Sequence, residues 1–152
     1  MRQFGDLPTG AVCSGGVVRC FAHVHATATG HLKAYAAPQG FGPADIQSAY
    51  NIDPARVVPA TAPTVAVIDA YGYPSLESDL AAYRAQYGLP ACTSASGCLK
   101  IVNQTGQATP LPGNAPQGDD WTIETALDVD MVSAGCPSCK ILVVQATDDQ
   151  GD

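Results

Sequence analysis

The pattern of apolar and polar positions divides the chain into an unpatterned N-terminal stretch and an alternating run of strand and helix signals. Residues 1–42 hold no sustained period; Val17-Val18 with Phe21 suits a short strand, and the small residues around His31 suit an extended linker. Pro43 after Gly42 opens a short helix in which Ile46, Ala49 and Tyr50 share a face, and Asn51 to Pro54 close it. Thr64-Val65-Ala66-Val67-Ile68-Asp69 is a nearly continuous apolar strand, the pattern of a sheet covered on both faces. Ala70 to Pro74 turns the chain and Ser75 is placed to cap a helix. Along that helix Leu76, Leu80, Tyr83 and Tyr87 recur at helical spacing, and Gly88 ends it. Leu99 to Val102 reads as a second strand. Residues 103–120, rich in Gly and Pro, make a loop whose length points to a substrate-facing or lid role. A helix from about Trp121 to Ala134, capped by Asp119 or Asp120, leads to a strand over residues 140–145. Strand, helix, strand, helix, strand predicts an α/β parallel sheet. Three strands leave such a sheet sparse with exposed edges, so the domain reads as interrupted.

Composition bounds what such a domain does. At 152 residues the chain suits one domain, and a compact fold of this size leaves about 7,000 Å² exposed. Seven Lys and Arg against fourteen Asp and Glu give a formal charge of -7. No basic block is present to track a phosphate backbone, which argues against nucleic acid, and an acidic membrane surface would repel the chain. No apolar run is long enough for a membrane span. Charged residues make up only 14% of the sequence, which suits an acidic working environment because few surface carboxylates are neutralised there.

Six cysteines fall as three close pairs, Cys13 with Cys20, Cys92 with Cys98, and Cys136 with Cys139. Loop closure favours these local bridges over the other connectivities, and three disulfides place the chain in an oxidising, secreted compartment. Cys136-Pro-Ser-Cys139 has redox-dithiol spacing, but it follows a helix and enters a strand, the reverse of the order a redox motif needs. A structural zinc finds no partner near this pair, since His23, His25 and His31 lie far away in sequence and read as surface or linker residues. Met1-Arg2-Gln3 leads into Phe4-Gly5-Asp6 and not into an apolar signal segment, so the chain reads as a piece of a longer precursor.

The helix over 121–134 carries the candidate chemistry. At about 100° per residue, apolar side chains fall all around it, which predicts a central, buried helix. Glu124 and Asp128 interrupt that surface one turn apart and nearly in line, while Asp130 points elsewhere. Three readings stay open. The two acids are solvated or cap a loop, or they share a proton and serve as a base at acidic pH, or they hold a divalent cation that lacks clear third and fourth ligands.

Three stretches resemble the sedolisins, the serine-carboxyl peptidases: Gly42-Pro43-Ala44-Asp45-Ile46-Gln47-Ser48-Ala49-Tyr50, Thr64 to Tyr71, and Trp121 to Ala146 around Glu124-Thr125-Ala126-Leu127-Asp128. The resemblance implies a subtilisin-like, three-layer parallel sheet, truncated. Residues 42–152 would be the N-terminal part of the peptidase domain, and residues 1–41 a linker or propeptide junction with its own local disulfide. It implies that Glu124 is the general base for a serine and that Asp128 hydrogen-bonds to it and tunes it. Asp69 takes the place where a subtilisin keeps its triad aspartate. In sedolisins that residue is not the accepted base partner, so the resemblance leaves Asp69 as a candidate site-lining group; the structural alternative is that Asp69 caps the turn at Gly72. No histidine follows His31, which argues against the ordinary triad.

In the family the nucleophilic serine of a Gly-Thr-Ser-type motif, an oxyanion aspartate and calcium ligands all lie downstream, and none has a counterpart here. Ser14, Ser133 and Ser138 lack that context. The resemblance therefore implies no cofactor in this chain, calcium in a missing C-terminal part, and two partners: a peptide or protein substrate and that missing part of the same domain. The expectation is the N-terminal part of a secreted serine-type endopeptidase acting at acidic pH, inactive as an isolated chain. The alternative is a non-catalytic, disulfide-braced binding module or decayed homologue.

Overall fold

The computed structural model describes residues 9–13, 16–20, 22–25, 38, 40–56, 61–117 and 119–151. In chain order the elements are β1 (Thr9–Ala11), β2 (His23–His25), α1 (Pro43–Ala49), β3 (Thr64–Ala70), α2 (Leu76–Gln86), β4 (Leu99–Asn103), α3 (Trp121–Gly135) and β5 (Lys140–Ala146). A single 3₁₀ turn, Pro54–Arg56, follows α1.

The N-terminal strand expected around Val17 and Val18 is not there. β1 and β2 pair antiparallel instead, with Thr9 opposite His25 and Ala11 opposite His23. Val17 and Val18 form an exposed bend between them, and the Cys13–Cys20 disulfide closes the loop. Polar β2 residues win the strand because pairing is set by register along the hairpin and not by the most apolar stretch. His23 and His25 are exposed on β2; Phe21 and His31 lie outside the described residues.

The main sheet has the order β3-β5-β4, all parallel. Val67 pairs with Val143 and Asp69 with Gln145 on one side of β5, while Ile101 and Asn103 face the same two residues on the other. Helices α1 and α2 pack against α3, and α3 packs on β3. The inward residues Leu99, Ile141 and Val143 meet Leu76, Leu80, Cys92 and Val129 to form the core beneath them. The opposite face is only partly covered: Ala66 and Lys100 are exposed and Ile68 is 72% exposed, whereas Ala70 and Val102 on the same face are buried. The apolar run of β3 therefore does not reflect cover on both faces, because every described helix sits on the side of α3. Among the described residues the architecture is a small, open α/β fold with one three-stranded parallel sheet and three helices. No helix among the described residues is long and apolar enough to cross a membrane.

Two helices bury stripes other than those their apolar spacing predicts. α2 buries Leu76, Leu80 and Arg84, one residue per turn, while Tyr83 and Tyr87 are half-buried with ring centroids 4.9 Å apart. Ser75 occupies the N-cap position but makes no cap bond to the backbone; its hydroxyl donates to Asp79 Oδ2 at 3.0 Å. Gly88, at φ +65°, turns the chain so that Leu89 N–H reaches the Arg84 carbonyl at 2.8 Å. α3 buries Trp121, Thr125, Val129, Ser133 and Ala134, leaving Leu127 and Met131 exposed. Its apolar circumference thus does not make it buried all round: two of its buried positions are hydroxyls that bond back to the helix, Thr125 to the Trp121 carbonyl and Ser133 to the Val129 carbonyl, both at 2.9 Å.

Arg84 explains how a charge is tolerated in that core. Its guanidinium donates to the carbonyls of Pro90 and Pro137 and, at 2.9 Å, to Ser133 Oγ. One planar fork thus joins the end of α2, the body of α3 and the loop between Cys136 and Cys139. The Cys136–Cys139 disulfide braces that helix-to-strand junction as expected, with Cys139 N–H donating to the Cys136 carbonyl at 3.0 Å. All three local disulfides are formed, and no described cysteine is free.

Arg84→Leu strands two buried acceptors, Ser133 Oγ and the Pro137 carbonyl, with the part-buried Pro90 carbonyl, and is expected to lower unfolding free energy by about 3 kcal/mol. Arg84→Lys recovers only part of that loss, because an ammonium does not span the fork. Urea denaturation measures both; a loss below about 1 kcal/mol for the leucine variant contradicts the clamp.

Candidate functional site

The site forms where the parallel strands end, the position at which open α/β sheets hold ligands. β3 runs out at Ala70 into Tyr71, a non-glycine residue at φ +65°. That sparsely populated backbone is held from both sides, by Tyr71 N–H to the Ala146 carbonyl at 2.8 Å and Gly72 N–H to the Gly113 carbonyl at 2.7 Å. Gly72 has no room for a side chain, since a Cβ would lie 2.1 Å from the Pro112 carbonyl oxygen. The turn is therefore closed by the long loop and not by Asp69, which sets aside the capping alternative.

Asp69 instead points to the inner face, where it is 5% exposed and its Oδ2 has no hydrogen-bond partner. It shares that face with Gln145, its neighbour in register, whose amide nitrogen and oxygen are also buried without partners. Above them lies the first half of α3. Glu124 and Asp128 are half-buried on one flank of that helix, between the sheet-facing stripe and exposed Leu127. Burial pushes Asp69 up to about 7; the negative charges of Asp128 and, more weakly, Glu124 add to the rise, and the Thr125 side chain opposes it. Burial also raises Asp128, with Glu124 as the second cause. The two acids that the sequence places in line are thus electrically coupled to each other and to a third, Asp69.

The N-terminal hairpin touches this group directly. Ala22 N–H donates to Glu124 Oε2 at 3.0 Å, and Asp120 N–H, at the N-cap of α3, donates to the Val12 carbonyl at 3.1 Å. Val12, Cys13 and Ala22 pack with Ala70 and Trp121 in a second core cluster. The loop closed by Cys13–Cys20 therefore lies across the start of α3 and orients one Glu124 oxygen.

A cavity of about 290 Å³ opens beside Asp69, walled by Gln104, Trp121, Asp148, Asp149 and Val18 among others. No motif in the sequence singles out Asp148 and Asp149. Their signal is position: they directly follow β5, at the ligand-binding end of the sheet. Asp130, which the helical spacing sets apart from the pair, is not solvated; burial and Asp79 push it up to about 7, with Arg84 opposing. It faces α2 and is not part of this group. Ser133 is buried beneath Arg84 and Ser138 lies in the Cys136–Cys139 loop, while Ser14 falls outside the described residues. Among the described residues no hydrogen bond joins a serine to Glu124 or Asp128, and no group of three or more His, Cys, Asp or Glu is arranged to hold a metal ion.

No known protein family, curated protein or solved structure matches this chain. Fold and bonding define a small α/β domain braced by disulfides, which fits an oxidising environment.

Asp69, Asp128 and Asp130 each bind a proton more tightly in the folded chain than in the unfolded one. Their protonated forms therefore favour folding fully below about pH 4, and for Asp69 and Asp130 that contribution is lost as pH rises through about 7. Melting temperature is expected to fall from pH 4 to pH 7 and then level, with Asp69 alone accounting for about 2–4 kcal/mol. Asp69→Asn should flatten the slope and raise stability at about pH 8. A melting temperature that rises over this interval contradicts the assignment.

Proposed function

We propose that this chain is the acid–base part of a secreted serine-type endopeptidase of the serine-carboxyl kind, working at acidic pH. The observation that carries the reading is the coupling of Glu124 and Asp128, side by side on α3, with Asp69 at the end of β3. Raised proton affinity keeps Asp69 and Asp128 partly protonated where an ordinary carboxylate is fully ionised, which suits acid–base work under acid conditions.

In this reading Glu124 is the general base. The Ala22 amide fixes its Oε2, so Oε1 is the oxygen that receives the serine proton as the serine oxygen attacks a peptide carbonyl carbon. Glu124 then returns the proton to the leaving amine nitrogen, the C–N bond breaks, and water resolves the acyl-enzyme by the same route. Asp128 positions and tunes Glu124, and Asp69 tunes Asp128. The serine, the oxyanion donors and calcium belong to the C-terminal part that the sedolisin resemblance places downstream. The loop over residues 104–120 borders the substrate cleft, being tied to the site through Gly113 and Asn114.

A second reading, a non-catalytic binding module, is favoured by one feature: the outer edges of β3 and β4 are unpaired among the described residues, beside exposed Ile68.

Cleavage of a denatured protein at about pH 3–5 by the serine-bearing full-length protein separates the two. Glu124→Gln is expected to lower kcat/KM by about 10²–10⁴-fold, and Asp128→Asn to shift the pH profile while leaving measurable turnover. Equal cleavage by wild type and Glu124→Gln contradicts the mechanism.

A further inference from the structure

The chain has three asparagines, and their surroundings in sequence differ. Asn51 leads into Ile52-Asp53 and Asn114 into Ala115-Pro116, whereas Asn103 leads into Gln104-Thr105-Gly106. Only Asn103 has a hydroxyl residue two positions on, with no proline between or directly after. That spacing is the acceptor pattern for an N-linked oligosaccharide, and it has meaning on a surface loop of a chain made in an oxidising compartment. Both conditions hold here. The three disulfides fit such a compartment. Asn103 is the last residue of β4, an edge strand among the described residues, and residues 104–111 after it are all exposed.

The loop folds around the Asn103 side chain and still leaves its nitrogen able to take a substituent. Oδ1 accepts from Thr105 N–H at 3.0 Å, from Thr105 Oγ1 at 2.8 Å and from Gln107 N–H at 3.0 Å. Gly106, at φ +82°, donates its N–H to the Asn103 carbonyl at 2.8 Å and closes the turn. Nδ2 carries two hydrogens and uses one, on the Pro110 carbonyl at 3.0 Å, in a bond that lies at the surface. The other has no protein acceptor among the described residues. A sugar in its place keeps all four side-chain bonds, so half-buried Asn103 is modified without opening the turn or β4.

We infer that Asn103 is a glycosylation site, the acceptor of an oligosaccharide supplied as a lipid-linked pyrophosphate. In the transfer Nδ2 bonds to the anomeric carbon and the anomeric C–O bond breaks. Its electron pair leaves on the lipid pyrophosphate, and Nδ2 releases one proton to water. The exposed loop then carries the glycan into solvent. The inference rests on this loop and not on the peptidase reading.

Secretion of the 152-residue chain, behind a signal peptide, from a yeast that performs this transfer tests it. The secreted chain is expected to carry excess mass that peptide N-glycosidase removes. In heavy-oxygen water the enzyme should leave a labelled Asn103→Asp conversion in the peptide that spans it. Thr105→Ser is expected to keep the modification because the hydroxyl remains, and Thr105→Ala and Asn103→Gln each to abolish it. An unmodified Asn103 in the secreted wild type overturns the inference, and that reading needs no variant to fold. Modification of Thr105→Ala as complete as that of wild type overturns it equally.

Discussion

An aspartate sits where the sheet calls for an apolar side chain, and among the described residues no cation comes to meet it. The period of β3 turns Val65, Val67 and Asp69 to the inner face, so the last inward position of the strand holds a carboxyl in a nearly dry environment. Ionising it there is unfavourable, which is why its proton affinity rises. The acids of α3 then inherit the problem. Asp128 and Glu124 lie close enough to add to the rise at Asp69, and Glu124 adds to the rise at Asp128, so neither aspartate binds its proton independently of its acidic neighbours.

What keeps the acids in place is a scaffold that relies on bridges as much as on bulk. α3 is fixed near its start by the Cys13–Cys20 hairpin, through the Val12 carbonyl and the Ala22 amide. At its far end it is fixed by Arg84 on Ser133 and by the Cys136–Cys139 loop. The two ends use opposite solutions to buried charge. Arg84 is surrounded by carbonyl and hydroxyl acceptors that satisfy it, whereas Asp69 keeps an oxygen without a partner. The first arrangement serves rigidity, and the second leaves a polar atom available to something else.

Much of this was legible in the residues. Element order, the three local disulfides and the shared flank of Glu124 and Asp128 follow from apolar period, loop closure and helical spacing. Failures occurred where tertiary contacts override local pattern. Arg84 is buried because the Pro137 carbonyl and Ser133 Oγ, from segments distant in the sequence, come within reach together with the nearby Pro90 carbonyl. Ile68 and Leu127 read as core and are exposed, because an apolar residue states a preference and not the presence of a neighbour to satisfy it. Asp149 is invisible for a similar reason: its burial depends on Val17, Val18 and Tyr71, which come from two separate places in the chain and from no local motif.

The central claim is that Asp69 resists ionisation because it is buried beside other acids. Carbon-detected NMR of the side-chain carboxyls, followed from about pH 2 to pH 9, reads this directly. The account predicts an Asp69 midpoint at about 7, with the Asp128 midpoint also above the usual aspartate range. An Asp69 carboxyl that titrates at about pH 4, as a solvated aspartate does, would contradict it.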